Sequence, residues 1–210
     1  EGSLTQVAER LTGVHITTAA HTARGVYVGA ADGLARSMDG VTWQQLDLPT
    51  PGMHITQFVP TTAFRTVGIA FAATLDQGML RSMDGGMTWA PCNLDLTDRA
   101  VVAMAPSPAF HEDYNIFTAL ESGVYRGFKA GSQWHRLPVP DSALPPTSLA
   151  LTLRSIFVGG DNGLWRTNDA EVWEALPALA GEQVLALATS PDAKWLAIAT
   201  SERIARTNTH

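Results

Sequence analysis

The chain has little of what would announce a chemistry. Its 210 residues include one cysteine, Cys92, so no internal disulfide framework can form. Basic residues are outnumbered, with 14 Lys and Arg against 20 Asp and Glu and a formal charge of −6. Phosphate binding relies on clustered Lys and Arg, so no nucleic-acid partner is expected. No apolar run is long enough to suggest a membrane-spanning helix. No charged start, apolar stretch and cleavage site stand at the N-terminus, so no signal peptide is visible and the compartment is left open. His15, His21, His54, His111, His135 and His210 are scattered without ligand spacing, and neither a metal nor a cofactor is expected. There is no G-x-S-x-G elbow and no Gly-rich phosphate loop ahead of a helix. Helical periodicity is sustained nowhere.

What the chain does have is a repeat. Trp43, Trp89, Trp134 and Trp173 are spaced 46, 45 and 39 residues apart. Arg36, Arg81, Arg126, Arg166 and Arg206 follow one another at 45, 45, 40 and 40. Gly33, Gly78, Gly123 and Gly163 each stand three residues before their arginine, and Arg203 holds that place in the last copy. Each copy reads as four short strands bounded by Gly, Asp and Pro. The second copy, for example, gives strands at His54–Val59, Ile69–Thr74, Met79–Met83 and Pro91–Leu96. A period near 40 with short strands predicts propeller blades. The expectation is an all-β chain, a single five-bladed β-propeller of four-stranded antiparallel blades, spanning residues 1–210 as one domain. The blades fall at about 14–49, 53–96, 100–140, 147–179 and 183–210. Leu4 and Ser3 occupy the tryptophan and threonine places of a further copy, so residues 3–11 are expected to supply the outer strand of the fifth blade and close the ring.

The best copy of the marked turn is Ser82-Met83-Asp84-Gly85-Gly86-Met87-Thr88-Trp89, which fits S-x-D-x-G-x-T-W. Ser37, Asp39 and Trp43 form a copy one residue short, Asp169 and Trp173 another, and Lys129 replaces the aspartate ahead of Trp134. This motif resembles the Asp-box, or BNR repeat, found in sialidases, two-propeller xyloglucan hydrolases, sortilin-type receptors and photosystem II stability and assembly factors. The resemblance covers nearly the whole chain and implies a shared architecture, not a shared activity. Within such a box the aspartate accepts backbone N–H bonds, the glycine takes positive φ and the tryptophan packs between blades. Ser37, Asp39, Trp43, Ser82, Asp84, Gly86, Thr88, Trp89, Trp134, Asp169 and Trp173 are therefore read as structural. The resemblance also implies that the boxes lie at the blade periphery, away from a catalytic face.

A sialidase would need a tyrosine nucleophile with a glutamate partner. Tyr27 and Tyr125 sit inside strand patterns, and Tyr114 lies in a loop beside Glu112 and Asp113. The five arginines occupy one repeated position, which suits a strand-packing role better than a substrate clamp. No catalytic residue is assigned and no enzyme is expected. The remaining constellation is acidic: Asp32, Asp76, Glu121, Asp161 and Glu202 fall in the turn between the second and third strands of successive blades. Asp before Gly is ordinary turn chemistry. The same turn of every blade nonetheless goes to one face, with the loops Pro49–Met53, Thr97–Arg99, Pro138–Pro146 and Ala180–Gln183, and five carboxylates there make a negative field. The favoured reading is a monomeric binding or scaffold propeller that takes a partner protein with a basic surface. The alternative is a lectin-like propeller that binds a glycan, for which Ala35, Leu80, Tyr125, Trp165 and Ala205 mark the candidate platform position. A glycosidase is the third reading and lacks its residues.

Overall fold

Gly, Asp and Pro interrupt the apolar runs every few residues, and strands of this length must meander. The computed structural model describes residues 15–190 and 192–208, and it holds five antiparallel sheets. The first contains β1 (Ile16–Thr22), β2 (Gly25–Ala30), β3 (Gly33–Ser37) and β4 (Trp43–Gln45). The second contains β5 (Ile55–Pro60), β6 (Ala70–Thr74), β7 (Met79–Ser82) and β8 (Ala90–Pro91). The third contains β9 (Val101–Pro106), β10 (Ile116–Leu120), β11 (Gly123–Phe128) and β12 (Gln133–Arg136). The fourth contains β13 (Pro146–Leu151), β14 (Ile156–Gly160), β15 (Gly163–Thr167) and β16 (Glu174–Ala175). The fifth has three strands among the described residues: β17 (Val184–Thr189), β18 (Trp195–Thr200) and β19 (Ile204–Asn208). In every sheet, strands adjacent in sequence are adjacent in space.

The chain divides into two compact units, which meet in sequence at Pro91 and Cys92. In the first, Tyr27 lies at the centre of an aromatic cluster. Its ring stacks on Phe58 at 4.7 Å and meets Phe64 edge-on at 5.7 Å. Its hydroxyl donates to the carbonyl of Gly85 at 2.6 Å, which ties the first sheet to the marked turn of the second. Burial pushes the Tyr27 phenol up, against the pull of Arg36 and Arg24. In the second unit, Phe117, Val158, Leu149 and Leu151 fill the space between the third and fourth sheets, and Leu164, Val184, Leu196 and Ile198 that between the fourth and fifth.

Two devices hold neighbouring sheets together. The first strands of two sheets carry a bulge, which skips Thr17 in β1 and Thr147 in β13. The freed hydroxyls donate to the next sheet, Thr17 to the carbonyl of Ile55 and Thr147 to that of Val184 at 2.5 Å. The second device is a small residue where β2 or β14 passes the next sheet. A Cβ at Gly29 would lie 2.7 Å from Ile55, and one at Gly159 would lie 2.6 Å from Val184. Ala73, Ala119 and Ala199 hold the corresponding place in β6, β10 and β18, each one residue before the end of its strand.

Two details differ from the sequence expectation. The outer strand predicted at Pro91–Leu96 is only Ala90–Pro91, because Leu96 closes a turn back to the carbonyl of Asn93 at 3.2 Å. The loop between β9 and β10 contains one helical turn, α1 (Phe110–Asp113), stopped by Tyr114 at φ 51°. The closing strand expected at residues 3–11 lies outside the described residues. β19, its expected partner, presents Ile204 at 85% exposure.

Candidate functional site

The marked turns are built from the same few donors and acceptors. In the complete copy, Asp84 Oδ1 accepts the N–H groups of Met87 and Thr88, each at 3.0 Å, and Oδ2 accepts the Thr88 hydroxyl at 2.6 Å. The Ser82 hydroxyl donates to Asp84 at 2.8 Å and receives the Gly86 N–H at 2.8 Å. In the shorter copies the carboxylate reaches one residue less far, to the N–H groups of Val41 and Thr42 at Asp39 and of Glu171 and Val172 at Asp169. The missing residue is thus one of the paired glycines at Gly85-Gly86. Its loss has a consequence at the tryptophan. Trp89 Nε1 donates to the Gly86 carbonyl at 3.1 Å, whereas Trp43 Nε1 and Trp173 Nε1 are buried with no acceptor among the described residues. The third copy replaces the carboxylate by backbone: Lys129, Ala130 and Gly131 all take positive φ, and Trp134 finds the Cys92 carbonyl at 2.7 Å.

These hydrogen bonds favour the charged carboxylates. The N–H groups of Thr42 and Val41 lower Asp39 to about 2. Burial raises Asp84, but the Thr88, Ser82 and Met87 donors outweigh it and bring it to about 2. Asp169 is lowered by the N–H groups of Val172 and Glu171. An unfolded aspartate titrates near ~3.9. A depressed native value means stability that is complete above the unfolded pKa and lost as pH falls toward the folded one. The urea midpoint should therefore drop between about pH 4 and pH 2. An Asp39→Asn, Asp84→Asn variant should start lower at neutral pH and fall less steeply across that window. Parallel acid profiles for parent and variant would contradict this account.

The acidic turns occupy the other end of the third strands. Asp32 and Asp76 are exposed in the β2–β3 and β6–β7 turns of the first unit, and Glu121, Asp161 and Glu202 in the corresponding turns of the second. Each turn is joined by hydrogen bonds to a loop leading into the first strand of a sheet. Ala31 N–H donates to the His15 carbonyl at 3.1 Å, Leu75 to His54 at 3.0 Å and Ser201 to Gln183 at 3.0 Å. Ser122 N–H, next to Glu121, donates to Asp98 at 3.1 Å. The Gln183 amide donates to Asp161 at 2.8 Å. The ion pairs among the described residues leave the five turn carboxylates out: Glu182 takes Arg203, Glu174 takes Arg166, Asp192 takes Lys194 and Glu112 meets His111. Arg203 feels the charge of Glu202, and Arg136 donates to the carbonyl of Ser122, next to Glu121, at 2.8 Å.

Arg36, Arg126, Arg166 and Arg206 contact their own sheets, and Arg36 also reaches Met87 Sδ beside the second sheet at 2.8 Å. Arg36 donates to the carbonyl of Arg24 at 3.1 and 2.9 Å, Arg126 covers the Phe128 ring at 4.6 Å, and Arg206 covers Trp195 at 5.1 Å. The platform position is buried at Ala35, Leu80, Tyr125 and Trp165, so its side chains are core and not a surface for sugar. Among the described residues no three His, Cys, Asp or Glu side chains gather closely enough to hold a metal ion, and no helix is long and apolar enough to cross a membrane.

No protein-family model matches the chain, and no curated protein is similar to it in sequence. Solved structures do share its fold. The extracellular domain of a protein described as a hybrid two component system from B. thetaiotaomicron superposes with a TM-score of 0.71 at 15% identity, covering 91% of this chain and 27% of that one. The GH74 xyloglucanase from Xanthomonas campestris gives 0.69 at 16%, covering 94% and 37%. A catalytically inactive virginiamycin B lyase from Staphylococcus aureus, solved with Quinupristin, gives 0.69 at 11%, covering 91% and 64%. The chain thus spans between a quarter and two thirds of these structures' length. With its sheet content, the likeness makes the fold β-propeller-like.

Proposed function

We propose that the chain is a non-enzymatic binding module of the Asp-box type: a five-bladed propeller, closed by its N-terminal strand, that holds a basic partner protein at the end of the sheets bearing the acidic turns. The observation that carries this reading is the pairing of two things at that end. The turn carboxylates are exposed and outside the ion pairs, and their turns are hydrogen-bonded to the loops that lead from sheet to sheet. Loops held by a rigid scaffold are where binding residues concentrate. Carboxylates at the rim of a low-dielectric body attract a basic surface and speed its approach. The role this supports is that of a monomeric scaffold, as in assembly factors.

The test is a partner captured from the source cells and measured against two proteins, the parent and an Asp32→Asn, Asp76→Asn, Glu121→Gln, Asp161→Asn, Glu202→Gln variant. The parent's association rate should fall as salt rises through the range where the screening length drops below ~10 Å. The variant should associate more slowly at low salt and with little salt dependence. Equal rates across the series would defeat the proposal.

A further inference from the structure

Three of the six methionines are well exposed, and all three lie in the marked turns of the first unit: Met38 at 69%, Met83 at 57% and Met87 at 40%. Met53, Met79 and Met104 are buried. Met38 and Met83 hold the same place, one residue before the turn aspartate. Their sulfurs nonetheless have different surroundings. Met38 Sδ accepts an Arg36 Nη2–H at 2.7 Å, and Met87 Sδ accepts an Nη1–H of the same guanidinium at 2.8 Å. No donor reaches Met83 Sδ among the described residues.

One cation therefore spans the marked turns of the first and second sheets and has thioethers as its acceptors there. Its other contacts fix it in place. Nε and Nη2 donate to the Arg24 carbonyl at 3.1 and 2.9 Å, and the guanidinium lies over the Tyr27 ring at 5.6 Å. The ion pairs among the described residues leave Arg36 out. A thioether is a weak acceptor, whereas a charged N–H is a strong donor. The match is poor, and it would improve if the sulfurs carried oxygen. A cavity of about 200 Å³, lined by Arg36, Met38, Asp39, Thr42 and Gln44, leaves room for a further atom there. Asp39 does not compete for the guanidinium through Oδ1, which already takes the Val41 and Thr42 N–H groups and the Ser37 hydroxyl.

We propose that Met38 and Met87 form a paired oxidation site, at which Arg36 holds the sulfoxides and tightens the contact between the two marked turns. The oxidant is hydrogen peroxide. A sulfur lone pair attacks one peroxide oxygen, the S–O bond forms and the O–O bond breaks. The sulfur gives up two electrons. The transferred oxygen loses its proton, and the departing hydroxide gains one and leaves as water. Exposure gives the oxidant access to all three sulfurs. At Met38 and Met87 the new oxygens arise beside N–H groups already aimed at the sulfur, so weak acceptors become strong ones. Little apolar burial is lost, because both side chains are already largely in water. Oxidation disrupts a protein where it makes a packed thioether polar. Here a charged donor stands where the polar group forms. The site lies at the marked-turn end of the sheets, away from the acidic turns, and does not depend on the partner-binding reading.

The experiment treats the full chain with hydrogen peroxide, maps the oxidised residues by peptide mass spectrometry and compares urea midpoints at constant slope. Met38, Met83 and Met87 should each gain one oxygen while Met53, Met79 and Met104 stay reduced. The parent's midpoint should rise. Treatment with both methionine sulfoxide reductases, one for each sulfoxide epimer, should bring it back. A Met38→Leu, Met87→Leu variant keeps Arg36 and leaves Met83 to be oxidised, and its midpoint should not rise. Met83→Leu should respond as the parent does. Arg36→Leu removes the N–H donors, and from whatever starting stability its midpoint should fall on oxidation. If Arg36→Leu does not fold, the two methionine variants decide. The proposal is overturned if peroxide converts Met83 and leaves Met38 and Met87 reduced, or if the parent's midpoint falls or stays where it was. It is also overturned if the Met38→Leu, Met87→Leu variant or Arg36→Leu gains as much as the parent.

Discussion

Replacing Trp89 by alanine should remove about 3–5 kcal/mol of stability, the cost typical of a fully enclosed indole. Trp89 is 7% exposed, its Nε1 is bonded to Gly86, and its ring meets Phe58 edge-on at 6.0 Å. Phe58 is the ring on which Tyr27 stacks, and Tyr27 in turn holds Gly85 of the same marked turn. Removing the indole therefore opens a cavity beside an aromatic cluster and also releases the glycine carbonyl that it caps. Against a total of about 5–15 kcal/mol for a typical domain, a loss of this size leaves little margin. Trp43→Ala supplies the comparison. Trp43 is only partly buried and its Nε1 has no acceptor among the described residues, so the same truncation should cost clearly less. Urea midpoints at constant slope would measure both. Equal losses would mean that the extra residue in the complete turn contributes nothing to the tryptophan's anchorage.

The contrast between those two tryptophans marks where sequence reading succeeds and where it stops. The repeat was legible because turn chemistry writes itself at fixed offsets. Gly33, Gly123 and Gly163 take φ of 145°, 146° and 138° at the start of β3, β11 and β15, and few other residues adopt such values. The apolar runs Ile116–Leu120 and Ile156–Gly160 coincide with β10 and β14, since strands buried on both faces read as continuous apolar runs, and Val184–Thr189 and Trp195–Thr200 coincide with β17 and β18 although these are partly exposed. The acidic turns were legible for the same reason as the glycines.

Four features were not read from the sequence, and the first two depend on contacts across sheets. Thr17 and Thr147 look like ordinary strand residues until the bulge frees their hydroxyls for the next sheet. The small residues Gly29, Ala73, Ala119, Gly159 and Ala199 do recur at the repeat spacing, and they could have been found as a column of small side chains. Asn115 and Arg126 leave no sequence signal, because an unpaired donor and acceptor are defined by what fails to pack around them. Helix α1 escaped notice because a single turn is too short for its periodicity to register.

A single methyl group at Gly25 should be nearly as disruptive as the loss of an aromatic ring. Gly25 follows the two-residue turn between β1 and β2, at φ 113°, a conformation that L side chains rarely adopt. Holding a non-glycine residue in such a region costs roughly 1–3 kcal/mol. The new Cβ would also lie 2.3 Å from the Ser37 carbonyl oxygen. That oxygen belongs to backbone and cannot swing aside as a side chain would, so overpacking adds roughly 1–3 kcal/mol. Ser37 is the residue whose hydroxyl binds Asp39 and receives the Gly40 N–H, so the displacement passes directly into the marked turn. Gly40→Ala separates the two costs. Gly40 has φ 77°, but a Cβ there would meet nothing within 4 Å, so its replacement carries backbone strain without a clash. Gly25→Ala should lower the urea midpoint by clearly more than Gly40→Ala. It should also speed hydrogen exchange at Val41 and Thr42, whose N–H groups are held by Asp39. If the two variants lose the same stability and Val41 and Thr42 keep their protection, the contact between the first hairpin and the marked turn is not what fixes that end of the sheet.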